Sequence, residues 1–177
     1  MRKVEMNYCR RCGRELHYIS GDRFDCPNGH QIFDTPNPAV GAFILSDDRK
    51  IVTLSVRGIE PRKGMLDAFG GFVSYDESLE AALARELEEE LGLQPDDYTP
   101  PHYLCSSKAT YPFLGEDLGV MTALYVITLK PGVVPRPADD VSATKSFPLM
   151  EVPLKRLHDE DIRAGIAALQ HYARSVL

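Results

Sequence analysis

Residues 71–93 read GFVSYDESLEAALARELEEELGL, and this stretch decides the fold. A glycine is followed six positions on by Glu77, then by Arg85-Glu86-Leu87-Glu88-Glu89-Glu90, then by Gly92-Leu93. Ser74 and Glu77 have the spacing of a capping box, serine at the N-cap and glutamate at N3. From there Leu79, Leu83, Leu87 and Leu91 recur every fourth residue, the apolar stripe of a helix facing a core. Alanines 81, 82 and 84 add helix propensity, and Gly92 stands where a C′ glycine ends a helix. On that helix Glu86, Glu89 and Glu90 fall at i, i+3 and i+4, where side chains are neighbours and like charges repel. A divalent cation held between them explains the arrangement. A solvated acidic face accounts for Glu80 and Glu88, but not for the joint spacing of Gly71, Glu77, Arg85, the three carboxylates and Gly92.

Outward from this helix, Gly70-Gly71 turns the chain from a strand into it. Upstream, residues 39–45 and 51–56 are apolar runs joined by Ser46-Asp47-Asp48-Arg49-Lys50, a strand-turn-strand signal. A cation-rich loop follows from Arg57 to Gly64, in which Arg57, Arg62 or Lys63 could meet a phosphate or simply be surface charge. Downstream, residues 103–107 and 120–129 read as strands, the latter mid-sheet, with a loop between them that holds Tyr111 and Phe113. Either ring could stack on a base or pack locally. Residues 131–140 form a proline-punctuated loop ending in Asp139-Asp140, and 144–149 a further strand. A closing helix over 159–175, capped by Asp159, carries the stripe Ile162, Ile166, Leu169, Ala173 and Val176. Cys105 lies in a strand and reads as a small hydrophobe.

The N-terminal segment is different in kind. Cys9-Arg10-Arg11-Cys12 is separated by thirteen residues from Cys26-Pro27-Asn28-Gly29-His30. A Cys-x2-Cys turn brings two thiolates to one metal, and a second pair at this distance suits a small hairpin. Cys9, Cys12, Cys26 and His30 are the expected tetrahedral zinc ligands, with His17 the competing fourth ligand. A disulfide is not expected in a reducing compartment. Residues 35–38, with two prolines, read as a linker, so the expected domains are 1–34 and 35–177.

The chain has 177 residues, a hydrophobic fraction of 44% and a formal net charge of −6. Before Thr35 there are 6 basic and 5 acidic residues, and after it 14 and 21. That balance argues against nucleic-acid binding by bulk electrostatics. No run approaches the ~18 apolar residues of a membrane span, and the first residues lack the apolar stretch of a secretory leader. A soluble cytoplasmic protein is expected.

The segment 71–93 matches the Nudix box, G-x5-E-x7-R-E-U-x-E-E-x-G-U with U a bulky apolar residue, at every specified position. The chain therefore resembles the Nudix hydrolases, with an N-terminal module similar to a zinc ribbon. The resemblance implies an α/β class fold, the Nudix α/β/α sandwich with a mixed sheet. It implies Mg²⁺ or Mn²⁺ held by Glu86, Glu89 and Glu90, with a further ligand from the Gly71 carbonyl, and Glu77–Arg85 as a structural ion pair. The general base it implies is a box glutamate or a late-loop acid; Asp140 is the candidate, with Asp139 or Glu116 as alternatives. Ribbon and box together resemble the NADH pyrophosphatase and ADP-ribose pyrophosphatase branch, in which homodimers are common. The implied reaction is Mg²⁺-dependent hydrolysis of the pyrophosphate of a nucleoside diphosphate linked to another moiety, NADH-like or ADP-ribose-like. Alternatives are nucleoside triphosphate sanitising, NAD-cap removal from RNA, or a non-catalytic nucleotide sensor whose ribbon docks a partner. Two local departures bear on the substrate. Leu66-Asp67-Ala68-Phe69-Gly70-Gly71 stands where related sequences carry Trp-x-Leu-Pro-Gly-Gly. Only a serine and Tyr111-Pro112-Phe113 correspond to the Ser-Gln-Pro-Trp-Pro-Phe-Pro signature of that branch.

Overall fold

The computed structural model of the protein describes residues 6–113 and 115–175, apart from the side chain of Glu116. Val176 of the expected helical stripe and the Glu116 carboxylate lie outside the described residues. The chain divides into two compact units, Met1–Pro36 and Asn37–Leu177.

The first unit is a three-stranded antiparallel meander of β1 (His17–Ser20), β2 (Arg23–Asp25) and β3 (Gln31–Phe33). Phe24 and Ile32 pair across β2 and β3 and bury their side chains with Leu16, Cys9 and Cys26. So small an apolar core holds little by itself. Gly13 and Gly29 adopt φ of +69° and +77° one residue after Cys12 and one before His30. Their N–H groups close turns onto the carbonyls of Cys9 and Cys26.

The second unit is built on a mixed sheet. Its strands are β4 (Asn37–Leu45), β5 (Ile51–Arg57), β6 (Leu66–Asp67), β7 (His102–Phe113), β8 (Glu116–Ile127) and β9 (Val141–Pro148). The order is β6-β5-β4-β8-β7, with β9 also on β5; β4 and β8 run parallel and the other pairs are antiparallel. Alternation along β4 sends Val40, Ala42 and Ile44 to one face, where Leu83, Leu87 and Leu91 of helix α1 (Leu79–Leu91) cover them. Phe43 and Leu45 point to the other face with Leu124 and Val126, against Ile162, Ile166 and Leu169 of helix α2 (Glu160–Ser175). Helices on both faces of a mixed sheet make the expected α/β/α sandwich. Each fully buried leucine of α1 contributes about 1.5–3 kcal/mol. Gly165 lets α2 lie close, because a Cβ there would come within 2.7 Å of Phe43 and Leu124. Among the described residues, no helix is long and apolar enough to cross a membrane.

Several boundaries differ from the sequence reading. Helix α1 starts at Leu79 with Ser78 as N-cap, its side chain accepting from the Ala81 N–H at 3.2 Å. Ser74 does not cap the helix. It sits in a preceding turn where its N–H donates to Glu77 Oε2 at 3.0 Å. Leu79, in the first turn, is 37% exposed and lies outside the core. The loop expected between residues 107 and 120 is instead strand: β7 runs to Phe113 and pairs with β8 through Phe113↔Glu116. Strand β4 begins inside the expected linker, since Asn37 and Pro38 already pair with Val120 and Met121. Asp159 immediately precedes α2, but its carboxylate accepts from the adjacent Glu160 N–H at 2.8 Å and from Arg62, not from the second or third helical N–H that the expected cap would take. Cys105 is half-buried, and burial raises its thiol pKa.

Candidate functional site

The box loop is stitched to β4. Ala42 and Phe69 exchange backbone hydrogen bonds, and the Gly71 carbonyl accepts from the Val40 N–H at 3.0 Å. Gly70 holds φ +146°, and a Cβ there would stand 2.2 Å from the Val40 carbonyl oxygen, so only glycine fits. Its N–H donates to Glu90 Oε2 at 2.9 Å. A Cβ on Gly71 would lie 2.6 Å from Glu86 Oε1, which places that carboxylate directly against the loop.

One guanidinium organises the rest. Arg85 grips Glu77 in a fork, Nε to Oε1 at 2.6 Å and Nη2 to Oε2 at 3.1 Å, and Nη2 also donates to the Phe72 carbonyl. Its Nη1 reaches Glu86 Oε1 and Glu89 Oε2, each at 2.9 Å. Arg85 thereby holds the Glu77 carboxyl down to about 2. Glu90 is 5% exposed and takes no part in this grip. Burial pushes its carboxyl up to about 9, against the Gly70 N–H and with help from the charges of Glu86, Asp67 and Asp140. Burial raises Glu86 as well, the charges of Glu89 and Asp139 adding to it against the pull of Arg85. The loop after residue 130 docks on the end of α1: Ala138 and Arg136 N–H groups donate to the carbonyls of Glu90 and Leu91. That docking brings Asp139 and Asp140 into the field of the box carboxylates, and burial with Asp139 nearby raises Asp140. Glu86, Glu89, Glu90, Asp139 and Asp140 thus gather around one loop-helix junction, while Glu80 and Glu88 are exposed away from it.

The donor set fits a hard divalent ion: oxygen ligands, partly open, with an excess of negative charge. Among the described residues, Glu90 has no cationic partner, which a buried carboxylate requires to stay ionised.

A second polar group lies behind the loop. It lines a cavity of ≈ 90 Å³ that Gly70, Gly71 and Phe72 border on one side. Arg57 donates to Asp67 Oδ2 at 2.9 Å, to the Pro61 carbonyl and to Tyr111 Oη, with its guanidinium 5.9 Å from the Tyr111 ring centre. Arg62 is tied to Asp159 at 2.6 Å and to the His158 carbonyl. Lys63 is exposed. Two of the three expected phosphate contacts are therefore already paired with carboxylates. Phe72 meets Tyr111 edge-on at 5.7 Å, and Tyr111 stacks with half-exposed Phe113 at 6.5 Å. At the floor, Thr122 Oγ1 donates to Asp161 Oδ2 at 2.6 Å. Burial raises Asp67 to about 6 against the pull of Arg57, raises Asp161, and lowers His158 to about 4 with help from Arg57 and Arg62.

Asp67, Thr122, His158 and Asp161 are absent from the sequence-based candidates. Two signals pointed to them. Thr122 shares the inward face of β8 with Val120 and Leu124. Asp161 sits four residues before Gly165 on the apolar face of α2. An acid in a helix's first turn is otherwise read as a dipole partner.

In the first unit, Cys9, Cys12, Cys26 and His30 present ligand atoms all within 4.8 Å of one another. Cys12–Cys26 Sγ atoms are 3.7 Å apart, and His30 Nδ1 is 3.6 Å from the Sγ of both Cys9 and Cys26. Zinc bonds of about 2.3 Å to sulfur and 2.0–2.1 Å to nitrogen span tetrahedral edges of about 3.5–3.8 Å. The cluster could hold zinc. His17 lies outside it, exposed on β1. Although burial raises the Cys9 thiol, the N–H groups of Arg11 and Cys12 bring it down to about 6.

Comparison with known proteins identifies the family of the second unit. A family model described as NUDIX domain matches residues 35–169. The "NAD-capped RNA hydrolase NudC" of Stutzerimonas stutzeri (strain A1501) is 31% identical over 107 residues, 59% of this chain and 37% of that protein. Human "NAD(P)H pyrophosphatase NUDT13, mitochondrial" is 30% identical over 100 residues, 54% of this chain and 28% of that protein. The aligned stretches span about a third of these curated relatives. The crystal structure of a NUDIX hydrolase from Nitrosomonas europaea superimposes with a TM-score of 0.68 at 21% identity, covering 96% of this chain and 92% of that one.

Proposed function

The chain belongs to the NUDIX domain family, and we propose that it is a pyrophosphohydrolase acting on a nucleoside diphosphate linked to another moiety, NADH-like or ADP-ribose-like. The observation that carries this reading is Glu90: a buried carboxylate among Glu86, Asp67 and Asp140, with no cation of its own among the described residues. Glu86, Glu89 and Glu90 would hold Mg²⁺ or Mn²⁺ there, with a lone pair left on the Gly71 carbonyl. A divalent ion so held neutralises charge on the pyrophosphate oxygens and on the leaving phosphate. Arg85 and Glu77 position the ligands: the fork fixes the loop and turns Glu86 and Glu89 toward it. Asp140, raised by burial and by Asp139, would accept the proton of the attacking water. The first unit would carry a structural zinc on Cys9, Cys12, Cys26 and His30.

Incubating the protein and Mg²⁺ with NADH, ADP-ribose, diadenosine polyphosphates, nucleoside triphosphates and NAD-capped RNA, and identifying the products, tests the reading. Cleavage between the two phosphates of NADH or ADP-ribose is expected. Inactivity across the whole panel with metal present would leave the nucleotide-sensor alternative. The name of the Stutzerimonas relative supports a second reading, removal of an NAD cap from RNA, and the same panel separates the two by their relative kcat/KM.

A further inference from the structure

The late loop that carries Asp140 is pinned to the neighbouring strand as well as to α1. Strands β5 and β9 pair residue for residue from Ile51↔Pro148 to Val56↔Ala143, and the next pair is Arg57↔Val141. Ser142 is therefore the extra residue of a β-bulge, two residues of β9 standing opposite one of β5. Its Oγ donates to the Val56 carbonyl at 3.0 Å and so ties the bulge to β5. Just past the end of β5, the Gly58 N–H donates to the Asp140 carbonyl at 2.6 Å. A Cβ on Gly58 would stand 3.0 Å from that oxygen and 3.3 Å from the Ser142 nitrogen. Glycine is what lets the two chains come this close.

The rest of the loop leaves the backbone of Asp140 little freedom. Val141 is buried in the core with Leu83, Leu87 and Leu91 of α1, and its N–H closes a turn onto the Ala138 carbonyl at 3.0 Å. Within that turn Asp139 holds φ +48°, a conformation in which aspartate is enriched among non-glycine residues. The Ala138 N–H in turn donates to the Glu90 carbonyl at 2.8 Å. Residue 140 is thus held on one side by the helix that carries the box glutamates and on the other by β5. Its side chain is different. The Asp140 carboxylate is exposed, makes no hydrogen bond among the described residues, and lies in the field of Glu90. A fixed backbone under a free carboxylate suits a group that must meet a water. The bulge decides where that carboxylate points, because one extra residue shifts the alternation and turns over the side chains before it.

We propose that Gly58 and Ser142 are positioning residues for the reaction: the bulge and its two hydrogen bonds aim the Asp140 carboxylate at the box, where it takes the proton of the attacking water. The proposal rests on the pyrophosphohydrolase reading with Asp140 as base, and adds the residues that set that base in place. Both act through Asp140.

The test is a double-mutant cycle on kcat, run on whichever of NADH, ADP-ribose and NAD-capped RNA the native chain cleaves fastest, with melting temperatures measured alongside. Asp140→Asn keeps the backbone carbonyl that Gly58 holds, and should lower kcat by about a hundredfold or more with KM little changed. Gly58→Ala pushes that carbonyl away by a few tenths of an ångström and should lower kcat about tenfold at similar KM. Ser142→Ala should lower it by about threefold to tenfold, and Ser142→Thr, which keeps the hydroxyl, should regain most of the loss. On the Asp140→Asn background, Gly58→Ala and Ser142→Ala should each change kcat by less than about twofold, because no carboxylate is left to aim. Losses there as large as in the native chain would overturn the proposal, and so would native kcat in Gly58→Ala and Ser142→Ala. Should Gly58→Ala fail to fold, the two Ser142 variants decide alone. Native kcat in Asp140→Asn overturns the proposal and leaves the hydrolase reading standing. Failure of that reading looks different: the native chain cleaves none of the three, and the proposal falls with it.

Discussion

The two ligand clusters of this chain are built on opposite plans. In the first unit, three thiols and one imidazole converge to 3.6–3.7 Å contacts, with Cys9 and Cys26 buried, Cys12 and His30 partly so, and a small core around them. At the box, three carboxylates are graded from buried Glu90 through half-buried Glu86 to exposed Glu89, and two are tethered to Arg85. A closed tetrahedral set has no position left for a reactant, whereas an open one does. The first plan suits a metal that replaces a core. The second suits a metal shared with a substrate, with the protein's own cation holding the ligands in place.

The sharpest way to break this contrast is to remove metal from each side. Zinc extraction from the full chain, or Cys26→Ser, should unfold the first unit outright, because structural zinc supplies about 10 kcal/mol or more of folding energy. Thiol titration should then show newly reactive Cys9 and Cys12, while the melting transition of the larger unit persists. At the box, chelation should leave the melting transition in place and abolish turnover. Glu89→Gln should lower kcat by about a thousandfold with little change in melting, since Glu89 is exposed and packs nothing.

Gly70→Ala tests the loop rather than the ligands. Its Cβ would overlap the Val40 carbonyl, so a loss of about 3 kcal/mol in denaturant unfolding is expected, with turnover falling alongside. The smallest effect is in the Arg85 grip. Glu77 has a folded pKa depressed to about 2, so its stabilisation is fully present above its unfolded value near 4.3 and is lost as pH falls toward 2. The stability difference between the native chain and Glu77→Gln should therefore narrow over that window and stay constant above it. A difference that is flat across acid pH would mean that the Arg85 fork is ornamental.

The contrast was largely legible in sequence, for a physical reason. Both patterns are local in sequence: Cys-x2-Cys and Cys-x3-His each bring two ligands together through a turn, and the i, i+3, i+4 spacing sets Glu86, Glu89 and Glu90 as neighbours on α1. The apolar run of β4 and the leucine stripe of α1 were legible in the same way, while the sandwich that they build was implied by the resemblance to the Nudix box. What was missed depends on long-range pairing. Ser78 rather than Ser74 takes the cap, and Glu77, which accepts from the Ser74 N–H, is also bound to Arg85 eight residues on, a tie outside the capping pattern. Strand β7 continues through Lys108, Thr110 and Pro112 because β8 pairs with it residue for residue, although an edge strand with a proline reads as a loop. The cavity floor joins Thr122 to Asp161 across 39 residues, and outside the cavity Arg62 reaches Asp159 across 97. Its acids look like helix-start and turn residues until the sheet and α2 enclose them.

The central claim is that Glu86, Glu89 and Glu90 share one divalent ion. Mn²⁺ binding to the zinc-loaded chain, followed by electron paramagnetic resonance, tests it most directly, comparing the native protein with Glu86→Gln and Glu90→Gln. Saturable binding in the native chain, weakened at least about tenfold in each variant with the melting transition preserved, is the expected result. Equal Mn²⁺ affinity in all three would contradict it.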